Sequence, residues 1–278
     1  MTNYGKATEA KIAEVVDACQ RYGDRSIVAL AGVPGTGKSF IASIAAQRYA
    51  NEPLLVREIQ FHQSYSYEEF IEGLRIDERS GVNTLPGVFL EWNERALDDP
   101  EHRYVLLVEE LTRANLPAVL GELLTYLEYR DRPFVTIYSR KPVYVARNLA
   151  MLSTYNPTDR SALELDAALI RRLRIIRCPP SVEQLREMLS GRDLPDGVLG
   201  RLQTLFTTCE ERFKDQCEHI MPFGHGIFAD VHAERPDLHR LWVERIQHLL
   251  RRPLLEPHPF ADIIEECYPW KDPGYVES

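Results

Sequence analysis

"SIVALAGVPGTGKSFIASIAA", residues 26–46, passes through three patterns in succession. "SIVALA" is an apolar run of the kind that forms a fully buried strand. "GVPGTGKS" fits G-x-x-x-x-G-K-[ST], with Gly32, Gly37, Lys38 and Ser39 in the fixed places. Phe40, Ile41, Ile44 and Ala45 then fall on one face of a helix. In a strand, glycine-rich turn and helix the backbone bends so that its N–H groups point at phosphate oxygens, and the helix N-terminus adds positive potential. Gly32, Pro34, Gly35, Thr36, Gly37, Lys38 and Ser39 are therefore the expected triphosphate contacts. Lys38 would reach the terminal phosphates, and Ser39 would offer its hydroxyl to Mg2+, which prefers an octahedron of oxygens.

Such a site needs carboxylates, and "YVLLVEELTRAN" (104–115) supplies two where its apolar run stops, at Glu109 and Glu110. Adjacent like charges at a buried strand end repel and resist desolvation. A solvated strand end is the plain reading. The glycine-rich turn suggests a chemical one, in which Glu109 organises the metal and Glu110 polarises the attacking water. The usual order is Asp then Glu. The extra methylene of Glu109 can be absorbed by a water-mediated contact, and it leaves a binding-only, nucleotide-gated site as the alternative to turnover.

Working outward, residues 7–22 carry Ile12, Val15, Val16 and Cys19 at helical spacing and end at Gly23. "LLVREI" (54–59), "YVLLV" (104–108), "LAMLST" (149–154) and "LRIIRC" (173–178) are further strands, with short helices expected at "YEEFIEGL" and "PGVFLEWNERAL". Leu116, Val119, Leu120, Leu123, Leu124 and Leu127 keep a 3.6-residue period, which predicts one helix over "LPAVLGELLTYLE". "FVTIY" and "VYVA" around "SRKP" read as a hairpin. Strands alternating with helices imply a parallel sheet. After Pro180 only helical patterns remain, at 182–189, 198–213 and 237–250, so the expectation is an α/β nucleotide-binding domain over 1–178 and a helical lid domain over 179–278.

The chain has 278 residues, 44% hydrophobic and 27% charged, enough for a sizeable core, and no apolar run approaches the roughly 18 residues needed to cross a bilayer. No basic-then-apolar leader opens it. Five scattered cysteines without a CxxC pair suggest neither zinc nor a disulfide framework, consistent with a cytoplasmic protein. A net charge of -9 disfavours broad attraction to a polyanion.

Longer segments now carry a resemblance. "FHQSYSYEEFIEGLR" (61–75) resembles FHxSYSYEDFVEG, and "VEELTRANLPAVLGELLTYLE" (108–128) resembles DEINRGNxxxxxGELLxxLE. "YSRKPVYVARNLAMLSTYNPTDRS" is similar to a hairpin followed by an MNxxDRS signature, and "FGHGIF" (223–228) with "RLWVERIQHLL" resembles GHSYF and a terminal helix. In these ordered segments the chain resembles the AAA+ ATPases, in the McrB-like branch, the motor subunits of modification-dependent restriction systems. The chain departs from the pattern at Glu109 for Asp, Thr112 for Asn and Tyr155 for Met.

The resemblance implies a P-loop fold of parallel sheet flanked by helices, a small C-terminal helical lid, and assembly into a homo-oligomeric ring, expected to be a hexamer. By it, Asn156 is the sensor that orients the lytic water or touches the outer phosphate. Asp159 and Arg160 link the site to the subunit boundary, while "NPTDRS" reads equally as a turn capping the next helix. Arg171 and Arg172 are guanidiniums offered to a neighbouring copy. His225 would lie near the lid face of the nucleotide, or be structural. The aromatic residues of "FHQSYSYEEF" either line a ring pore or pack Phe70, Ile71 and Leu74 on the sheet.

Two functions fit. One is a ring-forming Mg2+-dependent nucleoside triphosphatase, ATP favoured and GTP possible, that drives a McrC-like nuclease in restriction or anti-phage defence. The other is a MoxR-like ATPase that remodels a partner protein. No DNA-reading domain is expected ahead of residue 7, so recognition of nucleic acid, if any, falls to another chain, and direct nucleic-acid contact by this one stays open; no membrane contact is expected.

Overall fold

The computed structural model describes residues 4–77, 81–159, 165, 167–195, 197–212, 221–231, 237–250 and 258–275. The chain divides into two compact units: a sheet unit of Ala10–Ala31 and Lys38–Arg177, and a helical unit of Met1–Glu9, Gly32–Gly37 and Cys178–Ser278. Helix α1 (Lys6–Tyr22) begins in the helical unit and continues into the sheet unit.

Five strands form the sheet: β1 (Ile27–Ala31), β2 (Val56–Gln60), β5 (Tyr104–Glu109), β8 (Leu149–Tyr155) and β9 (Leu173–Arg177). Their order is β2-β5-β8-β1-β9 and every pairing is parallel. β1 and β8 are buried throughout, and β5 is buried up to Glu109, because helices cover both faces of a parallel sheet. The register sets Ala31 opposite Tyr155 and Val108 opposite Ser153, so β1, β5 and β8 end together at one edge. Ligands of open α/β sheets bind at that carboxyl edge.

Helix α2 (Lys38–Ala50) follows the glycine-rich turn, and its buried face is Ile41, Ala42, Ala45, Ala46, Tyr49 and Ala50. Phe40, expected on that face, is exposed; the buried stripe is centred on alanines small enough for helix and sheet to approach closely. The segment expected as one helix at "YEEFIEGL" is instead a single turn, α3 (Tyr67–Phe70), followed by an antiparallel hairpin of β3 (Glu72–Asp77) and β4 (Gly81–Pro86). A Ser66–Glu69 capping box starts the turn. Phe70 and Ile71 are buried whereas Leu74 is 54% exposed. With no further apolar position to bury, and with Gly73 in the way, the helix does not propagate. Helix α4 (Val88–Asp98) then covers the sheet.

The long 3.6-residue period at 116–127 also resolves differently. Asn115 caps α5 (Leu116–Leu120), and Gly121, at φ +48° and ψ -128°, breaks the helix before α6 (Leu123–Tyr126). Leu116, Val119, Leu120, Leu123 and Leu127 still enter the core, each worth about 1.5–3 kcal/mol, because the break preserves the face. The expected hairpin is present as two-residue strands, β6 (Phe134–Val135) and β7 (Pro142–Val143). Its loop is docked by buried Glu72, which accepts from the amides of Tyr138 and Ser139 at 2.8 and 2.9 Å. Arg130 ties three segments together: its guanidinium donates to the carbonyls of Ala146, Leu149 and Gly23 at 2.6, 2.7 and 2.9 Å. Helix α7 (Ala167–Arg172) leads into β9.

The helical unit contains α8 (Val182–Leu189), α9 (Val198–Arg212), α10 (Leu238–Leu241), α11 (Gln247–Leu250) and α12 (Ala261–Cys267) around its own core of residues such as Leu202, Phe206, Phe223, Phe228 and Tyr268. A π-helical turn, Trp242–Ile246, joins α10 to α11. Glu187 on α8 accepts from the amides of Ala7 and Thr8, satisfying free N–H groups at the start of α1. Among the described residues Cys19, Cys178, Cys209 and Cys267 form no disulfide, and no helix is long and apolar enough to cross a membrane. Cys217 and Arg160 lie outside the described residues.

Candidate functional site

The glycine-rich turn belongs to the helical unit as far as Gly37. Gly35 and Gly37 have φ of +80° and +76°, a backbone region that side chains disfavour, and this explains glycine at both. Thr36 is fully buried and donates from Oγ1 to the carbonyl of Val33 at 3.0 Å, so its hydroxyl braces the turn. "FGHGIF" lies against this turn. The amide of Gly224 donates to Pro34 O at 2.8 Å and that of Gly226 to Gly35 O at 2.6 Å. A Cβ on Gly224 would sit 2.4 Å from Gly35 O, so the backbones meet where no side chain fits. His225, between these glycines, is buried; desolvation pushes its pKa down to about 4 against the opposing charge of Glu187, and the ring is neutral at pH 7. Its Nδ1 has no hydrogen-bond partner among the described residues.

From Lys38 onward the site residues lie in the sheet unit. Ser39, in the first turn of α2, donates from Oγ to Glu109 Oε2 at 2.9 Å, across 70 positions of sequence. The same oxygen accepts a short hydrogen bond from Thr154 Oγ1 on β8, and Thr154 Oγ1 in turn accepts from the amide of Glu110 at 3.3 Å. Thr154 thus fixes both halves of the acidic doublet. The other oxygen of Glu109, Oε1, is buried without a partner among the described residues. A hydroxyl beside a carboxylate with a free buried oxygen is a hard, all-oxygen donor set that fits Mg2+ with phosphate and water completing its shell. No cluster of three or more His, Cys, Asp or Glu side chains competes for a softer metal among the described residues.

Glu110 adopts left-handed backbone angles, φ 56° and ψ 46°. For a residue with a Cβ this costs about 1–2 kcal/mol, and such strain gathers at functional positions. The bend separates the two carboxyl groups: Glu109 faces Ser39 and Thr154, while Glu110 Oε2 accepts from Arg113 Nε at 3.3 Å. Arg113 Nη2 reaches Asp159 Oδ2 at 3.4 Å, an ion pair without hydrogen-bond geometry. Asp159 Oδ1 accepts from Asn156 Nδ2 at 2.8 Å, and Asn156 Oδ1 accepts from the amide and hydroxyl of Thr158. Asn156 therefore makes the turn and occupies the end of β8 at the same time. Arg113, Asp159, Thr112, Asn115 and Leu116 border a cavity of about 620 Å³ in the sheet unit.

Ser39, Glu109, Glu110, Asn156 and Asp159 are thus joined to one another directly or through Thr154 and Arg113. The reading of the sequence missed both connectors. Thr154 had a signal, since it stands two residues before Asn156 and so on the same face of β8. Arg113 had one too, since it stands where the resembled DEINRGN segment has its arginine, three residues after Glu110. Arg171 and Arg172 lie elsewhere in the sheet unit, both against Glu128.

Residues 27–173 match the AAA domain family, dynein-related subfamily. The chain is 29% identical over 249 residues to the type IV methyl-directed restriction enzyme EcoKMcrB subunit of Escherichia coli (strain K12), covering 84% of this chain and 54% of that one. It is 25% identical over 184 residues to the type II restriction enzyme BsuMI component YdiS of Bacillus subtilis (strain 168), covering 51% and 53%. The chain spans about half the length of these curated relatives.

Proposed function

The chain belongs to the AAA domain family, dynein-related subfamily, and from that premise we propose that it is a Mg2+-dependent nucleoside triphosphatase whose turnover powers a separate effector. The observation that carries this is the Ser39–Glu109 hydrogen bond, which joins the lysine-bearing turn to the acidic doublet. Lys38 neutralises the terminal phosphates, and the amides of Gly35, Thr36 and Gly37 cradle them. Ser39 and Glu109 hold the magnesium ion, and Pro34 and Gly32 shape the turn. The ion, when bound, neutralises charge on the phosphate oxygens. Glu110 orients a water and takes its proton as the water attacks. Asn156 gives an uncharged donor to the same water or the outer phosphate, and Asp159 links it to Arg113 and Glu110. His225, held neutral, lies beside the turn that carries the phosphates, between two glycines whose amides hydrogen-bond to that turn.

Arg171 and Arg172 act on a neighbouring copy, which makes the working form a homo-oligomeric ring, a hexamer by family pattern. ATP is the favoured nucleotide, with GTP the alternative. Both relatives are named as components of restriction enzymes. That supports a nuclease subunit as the effector and a role in antiviral defence inside the cell. The net charge of -9 favours a second reading in part: the chain itself acts on a protein, and any nucleic acid is held by the effector.

Hydrolysis of ATP and GTP measured side by side, with particle mass determined in each nucleotide, tests the proposal. Nucleotide-dependent assembly with turnover that rises with protein concentration is expected. A monomer with concentration-independent turnover contradicts it.

A further inference from the structure

Arg171 and Arg172, the last two residues of α7, converge on one carboxylate. Arg171 donates from Nε and Nη2 to Glu128 Oε1 and Oε2 at 3.1 and 3.3 Å, a two-point fork. Arg172 Nη2 lies 3.5 Å from Glu128 Oε2. Successive side chains on a helix diverge by about 100°, so two neighbouring guanidiniums share one carboxylate only where that carboxylate draws them together. The two arginines are not equivalent. The Arg172 side chain is 13% exposed and its Nη1 also donates to the carbonyl of Ala168 at 2.8 Å, whereas the Arg171 side chain is 65% exposed.

We propose that Glu128 is a positioning residue for the arginine pair, with Arg172 as the built-in anchor and Arg171 as the group that reaches a triphosphate on a neighbouring copy. The proposal rests on the shared-site reading above. A solvent-exposed ion pair is weak, while a guanidinium placed on the phosphoryl transition state is worth about 10³-fold or more in rate. Exchange of the Glu128 carboxylate for phosphate oxygens is therefore favourable once a nucleotide is presented. Until then the fork restricts the rotamers of a long, flexible side chain, and that preorganisation is what Glu128 contributes. Glu128 does not touch the nucleotide.

The test compares E128Q, which keeps the side-chain shape without its charge, with R171A, each alone and mixed in equal amounts with E110Q. E128Q is expected to lower kcat by about 10- to 100-fold, leaving KM and the melting temperature at wild-type values. Mixing with E110Q should restore part of that loss, because E128Q copies keep their own Glu110 and receive well-held arginines from their neighbours. Mixing E128Q with R171A should restore nothing. Wild-type kcat in E128Q beside an inactive R171A overturns the role of Glu128 alone, as does a loss in E128Q that E110Q cannot repair. Wild-type kcat in R171A overturns the shared-site reading itself. If E128Q melts early, E128D replaces it, with the same kcat loss and the same recovery expected.

Discussion

Ser39 Oγ lies 2.9 Å from Glu109 Oε2, so the start of α2 and the end of β5 meet although 70 positions separate them. The parallel order β5-β8-β1 makes the meeting possible, with β8 lying between the two and adding Thr154. The apolar run that ends in two carboxylates is thereby explained. Glu109 turns to the hydroxyls of Ser39 and Thr154, and the left-handed bend at Glu110 sends the second carboxylate toward Arg113.

Thr154→Val keeps the volume and removes the hydroxyl that donates to Glu109 and accepts from the Glu110 amide. Leaving those partners unsatisfied should cost about 1–3 kcal/mol of stability. Turnover should fall on the order of 10-fold or more as both carboxylates lose their placement. Thermal melting and steady-state kinetics check the two effects, and Thr154→Ser should restore both in large part.

Arg130→Met should lower stability by roughly 3 kcal/mol or more, at about 1–3 kcal/mol for each buried acceptor left unsatisfied, because the carbonyls of Gly23, Ala146 and Leu149 lose their donor in the core. For a chain of this size that is on the order of 10 °C in melting temperature. Burial pushes the Arg130 pKa down to about 10, so the loss should be the same from pH 6 to pH 8.

His225 gives stability a pH dependence of defined sign. Its pKa falls from 6.5 in the unfolded chain to about 4 in the folded one, chiefly through desolvation. Between those values the unfolded state binds the extra proton, so stability declines as pH drops from about 6.5 toward 4. The full effect is roughly 3 kcal/mol. His225→Gln should flatten this part of the melting profile, and a variant profile parallel to wild type would count against a buried neutral histidine.

Much of this was legible in the sequence, because the parallel strands are continuous apolar runs and the turn after β1 has a fixed spacing. Glu109 and Glu110 stood out since charge at the end of "VLLV" needs a reason. Three features were hidden. The β3–β4 hairpin lies where "YEEFIEGL" has helix formers, and only the exposure of Leu74 shows that nothing awaits that face. Gly121 interrupts a helix whose hydrophobic period runs on unbroken, since α5 and α6 bury the same side. Thr154 is marked only by its spacing from Asn156, and Arg113 and Glu128 only by their places in the segment that resembles DEINRGNxxxxxGELLxxLE; what they bind there, Glu109, Asp159, Arg171 and Arg172, comes from other parts of the chain.

The most direct test of the central claim is a single-turnover measurement of nucleotide retention and cleavage in E110Q beside K38A. E110Q should retain one uncleaved nucleotide per chain, with cleavage slowed by about 100-fold or more, and K38A should retain none. Cleavage by E110Q at the wild-type rate, with K38A binding nucleotide normally, would contradict that claim.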